Sequence, residues 1–584
     1  MKSFFKSFLA SLLALLVFFG IIFLLFFGIA GALMSADSVQ VGQNAVLVID
    51  LSDPITERKM DDPLTELTGE VSAPDLYSTI KLIKHASEDS LIRGIYLIAK
   101  DNPNGFATSQ ELRRALEAFK KKGKFIIAYG DYISQKAFHV ASVADKVYCH
   151  PMGILEWQGM SVEYVFFKGL IDRLDIKPQI FYAGKYKSAT EPFRETGMTP
   201  ANREQTNVWL NGIYNQMVAD IAASRKLSAD SLLDLASNYT LDKPEKAVAH
   251  KLIDGVRYDD EVRNAMHGLL KIKPTDPIDF IRIGKYAKAV NVSGAYSKNR
   301  VALVIAEGSI MYGKASPDEV GSDEYLSVLR KLRNDEGVKA VVLRVNSPGG
   351  SSLASEIIWR EIELMKKAGK KVVVSMGDVA ASGGYYIACN ADRVFAQPNT
   401  ITGSIGVFSV VPDFSSFMKN KLGVTFDRVQ TGPYADLPSV TRPMTQQEKQ
   451  IIQNQVDQIY NDFKSKVAAG RKKSVNYIDS IAQGRVWTGK DALQIGLVDE
   501  MGGLEDAIAA AAKMASLKEF KVRVYPEPRS FLEYVLENYE DEFSSIALGK
   551  ELNKEELKLL KQIRDLKNEQ GEIKAKLPFE FKIK

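Results

Sequence analysis

Lys371-Val-Val-Val-Ser-Met-Gly-Asp378 is a β-branched apolar run that continues into the small residues of Val379-Ala-Ala-Ser-Gly-Gly-Tyr-Tyr386. A matching phrase, Lys124-Phe-Ile-Ile-Ala-Tyr-Gly-Asp131, stands earlier in the chain, and at the same offset Val143-Ala-Asp-Lys-Val147 matches Asn390-Ala-Asp-Arg-Val394. The apolar runs predict buried strands. Ordered matches at a constant spacing indicate that one domain occurs twice in the chain.

The repeat extends over most of the 584 residues. Ala45-Val-Leu-Val-Ile49 matches Val301-Ala-Leu-Val-Ile305, and each predicts the first buried strand of one copy. We therefore expect an N-terminal domain at 45–290 and a C-terminal domain at 299–525, joined by a polar linker at about 290–298. A chain of this length is too long for a single hydrophobic core, which agrees with several units.

The order of the elements predicts the fold class. Short β-branched runs alternate with amphipathic stretches in both copies, which indicates an α/β fold whose strands are mostly parallel and buried on both faces. The predicted strands include Gly94–Ile98, Phe125–Tyr129, Ala340–Val345 and Val372–Met376. The predicted helices include Ser109–Lys122, Asn202–Lys226, Ser351–Lys367 and Gln446–Arg471.

The composition excludes some classes of partner. Hydrophobic residues make up 46% of the chain and charged residues 25%, and the net charge is only +4. This near balance gives no reason to expect nucleic acid as a partner. Cys149 and Cys389 both lie in apolar runs, so we interpret them as small buried hydrophobic residues rather than as a disulfide. We expect neither a metal nor a cofactor.

The N-terminus differs from the rest of the chain. The run 7–34 carries no charge and is rich in Leu, Phe, Ile and Ala, and it is longer than the ~20 residues that span a bilayer core. Lysines precede it, so the positive-inside rule places residues 1–6 in the cytoplasm and the body outside. The alternative is a long signal peptide that is cleaved near Ala30-Gly31-Ala32.

The C-terminal tail, 526–584, has another character. It is charged, and Leu552, Leu557, Leu560 and Ile563 recur at helical spacing among Lys and Glu. This pattern predicts a partly helical tail that packs on a neighbour or lies on the surface, with lipid binding as the alternative.

A candidate nucleophile lies in the second copy. Ser382 stands among small residues after a buried strand and opens an apolar helix, where backbone N–H groups favour an oxyanion. Val345-Asn-Ser-Pro-Gly-Gly350 follows another strand, and the N–H groups of Gly349 and Gly383 would make a hole with two donors. Asn346-Ser-Pro-Gly-Gly350 alone is at least as typical of a tight turn, and Ala381-Ser-Gly-Gly384 alone is more typical of helix packing. Only together do they favour a site.

A serine nucleophile requires a base. All five histidines precede residue 301, and none stands in a phrase that indicates catalysis. In the first copy, Lys187 lies in Ala183-Gly-Lys-Tyr-Lys-Ser188, and Ala435 stands at the corresponding place of the second copy. Conversely, the constant offset places Gln135 opposite Ser382. This complementary loss is expected if two ancestral sites merged into one shared site; the alternative is an exposed lysine and a packed serine.

Four phrases together carry a resemblance to a known family. Asn346-Ser-Pro-Gly-Gly350, Ala381-Ser-Gly-Gly-Tyr-Tyr386, Thr402-Gly-Ser-Ile-Gly-Val407 and Gly184-Lys-Tyr-Lys-Ser-Ala189 resemble signal peptide peptidase A of peptidase family S49, in its long, duplicated form. The resemblance covers residues 1–525. It implies two tandem domains of the ClpP/crotonase superfamily, built from ββα repeats.

The resemblance also implies roles for single residues. Ser382 matches the family's nucleophile and Lys187 its base, while Gly349 and Gly383 match the oxyanion donors. Ser404 matches a serine that hydrogen-bonds the lysine. Lys185, two residues before Lys187, is the weaker candidate for the base.

The function that this resemblance implies is a serine endopeptidase with a Ser/Lys dyad. It would degrade cleaved signal peptides and other apolar, unfolded peptides as a homo-oligomer, with a tetramer as the expected size. We expect it to be single-pass in the bacterial inner membrane, with its body on the periplasmic side. Two rival hypotheses remain at this stage: a crotonase-like enzyme acting on acyl-CoA, and a membrane scaffold without activity.

Overall fold

The computed structural model describes residues 6, 8, 10–21, 40–58, 74–290, 292, 297–527 and 573–576. The stretch 10–21 is helical and its side chains are exposed. Within the described ranges no helix is long and apolar enough to cross a membrane. The remainder of the predicted anchor, part of the linker and the leucine-bearing stretch 552–563 lie outside the described residues.

The first copy contains seven strands and ten α-helices among its described residues. The strands are β1 (Ala45–Asp50), β2 (Ile92–Ile98), β3 (Phe125–Ile133), β4 (Lys146–Leu155), β5 (Lys177–Ala183), β6 (Gly255–Val256) and β7 (Phe280–Arg282). The helices are α1 (Leu76–Glu88), α2 (Phe106–Lys121), α3 (Gln135–Ala141), α4 (Lys168–Arg173), α5 (Glu191–Arg194), α6 (Pro200–Arg225), α7 (Ala229–Ser237), α8 (Pro244–Ala249), α9 (Asp259–Leu270) and α10 (Ile283–Ala289).

The second copy and the tail supply the remaining described elements. The strands are β8 (Arg300–Glu307), β9 (Ile310–Met311), β10 (Val320–Gly321), β11 (Val338–Ser347), β12 (Gly349–Ser351), β13 (Lys371–Ala381), β14 (Arg393–Ala396), β15 (Ile401–Gly403), β16 (Val407–Asp413), β17 (Val486–Thr488), β18 (Glu500–Met501), β19 (Lys521–Tyr525) and, in the tail, β20 (Lys574–Lys576). The helices are α11 (Ser322–Asn334), α12 (Ser352–Lys367), α13 (Gly383–Ala388), α14 (Ser415–Leu422), α15 (Gln446–Arg471), α16 (Val475–Ile481), α17 (Gly489–Gln494) and α18 (Leu504–Met514).

The two copies share one sheet topology. The first sheet has the order β6-β4-β3-β2-β1-β7, and the second contains the same path as β18-β14-β13-β11-β8-β19. The strands along both paths are parallel. The predicted α/β class with mostly parallel strands is therefore confirmed, and so are the predicted strands and helices, with small differences at their ends.

The two longest helices begin and end with the same residue types. Helices α6 and α15 each contain 26 residues. Thr199 and Thr445 accept a backbone N–H at the start, and Lys226 and Lys472 end the helices in the left-handed conformation, with φ of 56° and 54°. A threonine cap and a left-handed end are ordinary stop signals for a helix. Their conservation between the copies agrees with duplication.

A third sheet joins the copies. Its order is β10-β9-β12-β20-β16-β5, so that β5 of the first copy pairs with β16 of the second. The pairing is antiparallel, with Ala183 opposite Val407. Phe181 and Ala183 are buried within the hydrophobic core of the second copy. Because β5 is paired with a strand of the second copy, the chain that follows Ala183 enters the second copy.

Both cysteines are free and buried, as predicted. Their thiols contribute to the two main hydrophobic clusters, Cys149 in that of the first copy and Cys389 in that of the second. Burial raises the pKa of each thiol to about 12. Both thiols therefore stay protonated and unreactive at neutral pH.

Candidate active site

Ser382 lies at a sharp turn between β13 and α13. Its φ of 55° and ψ of −115° are unusual for a residue other than glycine. The turn is held by its N–H, which donates to the carbonyl of Gly403 at 2.8 Å, and Ser382 is completely buried. Strained backbone of this kind is concentrated at functional sites, where the surrounding structure enforces it.

Lys187 reaches the same place from β5. After Ala183 the chain turns at Gly184, with φ of 111°, and the N–H of Tyr186 donates to the carbonyl of Gln483 at 2.7 Å. The loop of the first copy is thereby fastened to the second copy. Lys187 itself is 1% exposed.

Two glycines of the second copy leave room for the lysine. A Cβ on Gly484 would lie 2.7 Å from the backbone nitrogen and the Cβ of Lys187. A Cβ on Gly406 would lie 3.1 Å from Cδ of Lys187. Real Cβ atoms are essentially never found closer than 3.0 Å to such neighbours. Gly484 is therefore required by the approach of the lysine, and the sequence patterns did not reveal this.

The structure brings three of the predicted site residues together. Nζ of Lys187 lies 2.8 Å from Oγ of Ser382. It also lies 3.2 Å from both the carbonyl oxygen and Oγ of Ser404. All three residues are buried. A neutral amine in this position can donate its hydrogens to Ser404 and accept the hydroxyl proton of Ser382 with its lone pair.

Burial lowers the pKa of the Lys187 ammonium well below its usual value, and desolvation alone accounts for the shift. Nζ also lies 5.9 Å from the ring centroid of Phe408, which would favour the charged form. That distance is at the outer limit of ~6 Å for a cation–π contact, so the ring opposes the desolvation only weakly. The surroundings therefore favour an uncharged amine next to Ser382.

The two predicted oxyanion donors are neighbours. Gly349 has φ of 93°, and a Cβ on it would lie 2.5 Å from the backbone nitrogen of Gly383. Only glycine fits this conformation and this close approach. In the structure the N–H of Gly349 donates to Oγ of Ser347 at 3.2 Å. A substrate oxygen would share or replace this long hydrogen bond.

Lys185, the weaker candidate for the base, is exposed, and its Nζ lies 5.3 Å from the ring centroid of Tyr186. Ala435, at the place of the lysine in the second copy, is exposed and follows a stretch without regular structure. Among the histidines, the ring of His139 is buried against Asp220, with Nε2 to Oδ2 at 3.0 Å, and burial lowers its pKa to about 4.

One correspondence between the copies needs correction. The constant offset puts Gln135 opposite Ser382, but Gln135 is the first residue of α3, whereas Ser382 precedes α13. The residue that precedes α3 is Ser134, whose Oγ accepts the N–H of Ala137. Strand β3 ends at Ile133, one residue before the position that the offset places opposite the end of β13 at Ala381, so the correspondence shifts by one residue at this turn. The first copy therefore has a capping serine here.

The sequence patterns also did not indicate a buried ionic cluster near the site. Arg344 is completely buried on β11, with Nη2 2.6 Å from Glu57 and Nη1 2.7 Å from Glu111. Both carboxylates belong to the first copy. Asp378 makes a second bridge, since it accepts the N–H groups of Ala107 and Thr108 at 2.8 and 3.0 Å at the start of α2. These contacts fix the first copy against the two strands that lead to Gly349 and Ser382.

No His, Cys, Asp and Glu side chains in the described part of the chain are grouped so that they could hold a metal ion.

Comparison with known proteins assigns the chain to a family. The profile of peptidase family S49 matches residues 118–273 and 365–518, one match in each copy. The chain belongs to peptidase family S49. The first matched range contains Lys187, and the second contains Ser382. A Clp protease profile matches residues 293–402, which include Gly349.

Relatives of the S49 chain extend over most of its length. It is 34% identical to Protease 4 of Salmonella typhi over 519 residues, or 86% of this chain and 83% of that protein. It is 32% identical to the chloroplastic serine protease SPPA of Arabidopsis thaliana over 442 residues, or 74% of this chain and 64% of that protein. A solved structure of a ClpP1 mutant from Listeria monocytogenes aligns with a TM-score of 0.24 and 16% identity over 35% of this chain and 94% of that chain. The S49 chain is a serine protease.

Proposed function

We propose that Ser382 and Lys187 form the catalytic dyad of this protease, with the serine from one copy and the lysine from the other. The observation that carries the proposal is the 2.8 Å distance between Nζ and Oγ at a fully buried amine. The neutral amine takes the hydroxyl proton as Oγ attacks a peptide carbonyl. Ser404 orients the amine through its two oxygens, both 3.2 Å from Nζ.

The N–H groups of Gly349 and Gly383 stabilise the oxyanion of the tetrahedral intermediate. Loss of one such donor typically costs about 3 kcal/mol of transition-state stabilisation. The lysine then returns the proton to the leaving amine, and an ester of Ser382 remains. Water, deprotonated by the same lysine, hydrolyses the ester and restores the hydroxyl.

The substrates that we propose are cleaved signal peptides and other apolar, unfolded peptides. The resemblance of the sequence motifs to signal peptide peptidase A supports this class. The exposed apolar side chains of the helical stretch 10–21, among them Leu13, Leu16 and Phe18, support a membrane anchor at 7–34. Such an anchor would hold the body next to peptides that leave the bilayer, on the periplasmic side of the inner membrane.

We further propose a homo-oligomer, with a tetramer as the first size to test. The Clp protease likeness of residues 293–402 supports assembly. The 2.8 Å contact lies within one chain, which supports a dyad completed in each protomer.

A serine-reactive phosphonate probe tests the dyad. The full-length protein in detergent is labelled and digested, and the modified residue is located by mass spectrometry. We expect the label on Ser382, strongly reduced labelling in Lys187→Ala, and normal labelling in the matched control Lys185→Ala. A label on another serine, or equal labelling of both lysine variants, would contradict the proposed dyad.

Substrate class is tested separately with the same preparation. We expect the wild type to degrade a synthetic signal peptide in vesicles and to spare a folded protein, and to show no turnover of an acyl-CoA thioester. Turnover of acyl-CoA without cleavage of peptides would favour the crotonase-like alternative.

A further inference from the structure

One glutamine of the first copy lies between the loop that carries Lys187 and the second copy. Gln205 is on α6 and is only 2% exposed. Its side-chain nitrogen lies 3.0 Å from the carbonyl oxygen of Tyr186 and 3.2 Å from Oγ of Ser188. The glutamine therefore contacts the residue directly before the proposed base and the residue directly after it.

The other end of the same amide reaches the second copy. Oε1 of Gln205 accepts the N–H of Val486 at 3.2 Å. The carbonyl of Tyr186 can only accept a hydrogen bond and the N–H of Val486 can only donate one, so these two partners fix the orientation of the amide. Glutamine meets both requirements because it carries a donor and an acceptor on one side chain.

Val486 belongs to a strand that supports the nucleophile. It is the first residue of β17, which pairs with β15 so that Val486 lies opposite Gly403. The carbonyl of Gly403 accepts the N–H of Ser382 at 2.8 Å, and the carbonyl of Arg485 accepts the N–H of Ser404 at 2.7 Å. The amide of Gln205 is thus connected on one side to the loop of the amine. On the other side, through two paired strands, it is connected to the turn of the hydroxyl.

The glutamine is held in turn by buried polar side chains of the first copy. Oδ1 of Asn202, on the same helix, lies 3.2 Å from Nε2 of Gln205. Nδ2 of Asn202 donates to Oε2 of Glu191 at 2.9 Å. Asn202 is 1% exposed and Glu191 2%. A buried network of partnered polar groups is rigid, so Gln205 is a fixed support for the loop.

The chemistry of the dyad requires such a support. Burial lowers the pKa of Lys187, so a protonated Lys187 would gain solvation if its loop moved toward water. An amine that left the buried position would also leave Ser382, to which it is held by a 2.8 Å hydrogen bond. The loop must therefore be restrained against opening.

We propose that Gln205 is a positioning residue of the dyad, which fastens the loop of Lys187 to the strands that hold Ser382 and so keeps the amine beside the hydroxyl and away from water. The inference deepens the proposed function and rests on it. Gln205 acts through the residues on either side of Lys187 rather than through the amine itself. Its loss therefore changes the placement and the protonation of the amine, and leaves the binding of the peptide unchanged.

The experiment compares full-length proteins in detergent. Gln205→Met keeps the length of the side chain and removes its hydrogen bonds. The matched control is Gln216→Met, a half-buried glutamine of the same helix whose Nε2 donates to Oδ1 of Asp220 at 3.0 Å. It lies about three turns further along α6, or about 16 Å at 1.5 Å per residue.

Steady-state kcat and KM for a chromogenic peptide ester are measured from pH 6 to 10, at a temperature below the thermal unfolding of each protein. Phosphonate labelling of Ser382, located by mass spectrometry, is measured on the same preparations.

We expect Gln205→Met to lower kcat at pH 7 about tenfold to a hundredfold, since a misplacement of ~1 Å at a reacting group has an effect of this size. KM should stay within about twofold of the wild type. The midpoint of the rise of kcat with pH should increase by about one unit toward the usual lysine pKa of ~10.4, because the amine gains access to water. Gln216→Met should match the wild type in kcat, KM and midpoint.

Two results would overturn the inference while leaving the dyad intact. The first is a Gln205→Met protein with the kcat and midpoint of Gln216→Met. The second is a lower kcat with an unchanged midpoint, because a smaller amount of folded enzyme lowers the rate equally at every pH.

A milder variant decides the question if Gln205→Met does not fold. Ser188→Ala removes one of the contacts between the glutamine and the loop, so it should lower kcat about threefold and raise the midpoint. Wild-type values in Ser188→Ala would then overturn the inference. Failure of the phosphonate to label Ser382 in the wild type would instead overturn the proposed function itself.

Discussion

Substitution of Gly484 by alanine tests whether close packing of Lys187 against the second copy is needed to place its amine beside Ser382. The new Cβ would lie 2.7 Å from two Lys187 atoms, whereas ordinary contact begins at 3.4 Å, so the lysine must move by about 0.7 Å. A misplacement of ~1 Å at a reacting group lowers the rate about a hundredfold. We therefore expect kcat to fall by about tenfold to a hundredfold.

A matched control separates this displacement from backbone strain. Gly484 has φ of 75° and Gly423 has φ of 69°, so alanine at either position adopts an unfavourable left-handed conformation. No heavy atom lies within 4 Å of a Cβ on Gly423 among its described surroundings. Both variants should therefore lose about 1–3 kcal/mol of stability from strain. Only Gly484→Ala should also lose kcat.

The assay is steady-state cleavage of a chromogenic peptide ester at mildly alkaline pH, with thermal unfolding of each variant as the measure of folding. Gly423→Ala should keep kcat within about twofold of the wild type, because its strain is remote from the dyad. Equal kcat values in the two variants would refute the close packing of Lys187 against Gly484 as a requirement for activity.

Three further predictions concern the dyad and its supports. Because burial lowers the pKa of Lys187, folding releases a proton at pH values between the pKa in the folded protein and that of the unfolded lysine, ~10.4, and stability rises with pH over that interval. Lys187→Met should therefore raise the urea midpoint more at pH 6 than at pH 9; an equal gain at both would contradict a depressed pKa. Ser404→Ala removes one hydrogen bond to Nζ and should lower kcat about tenfold while Ser382 remains the labelled residue, and an unchanged kcat would remove Ser404 from the mechanism. Arg344→Met leaves Glu57 and Glu111 buried without their cation, so it should lower the free energy of unfolding by about 3–5 kcal/mol, measured by urea denaturation; a loss below 1 kcal/mol would show that the carboxylates are otherwise compensated.

Much of the fold was predictable because repeated phrases, apolar β-branched runs and helix caps can each be recognised in a short stretch of sequence. The runs at Phe125 and Val372 are β-branched and apolar, and they form central parallel strands. The helix Gln446–Arg471 was predicted with its observed bounds, since a threonine cap precedes it and the apolar period is regular. Such features depend on neighbours within a few residues.

The pairing of Lys187 with Ser382 was predictable for a different reason. The second copy has Ala435 at the place of Lys187, and a serine without a histidine nearby in the sequence requires another base. The route by which the lysine arrives was not predictable, because the exchange of β5 into the second copy depends on contacts between residues more than two hundred positions apart. Gly484 illustrates this, since its role is visible only when Lys187 is packed against it.

Other parts of the site left no usable pattern in the sequence. Arg344 stands in a strand of apolar residues, and its partners Glu57 and Glu111 are far away in the first copy. The tail strand Lys574–Lys576 is only three residues long and alternates lysine with alanine, which is typical of an exposed segment. It forms a strand because β12 and β16 lie on either side of it and supply two strand edges, which no local propensity encodes.

The pH dependence of Ser382 acylation tests the central claim most directly. The rate of acylation by a peptide ester is measured from pH 5 to 10 in the wild type and in Lys187→Ala, with the modified residue located by mass spectrometry. If an uncharged Lys187 is the base, the wild-type rate rises with a single ionisation well below the usual lysine pKa of ~10.4, and this rise is lost in the variant. A variant that keeps the same pH profile and rate would contradict the dyad.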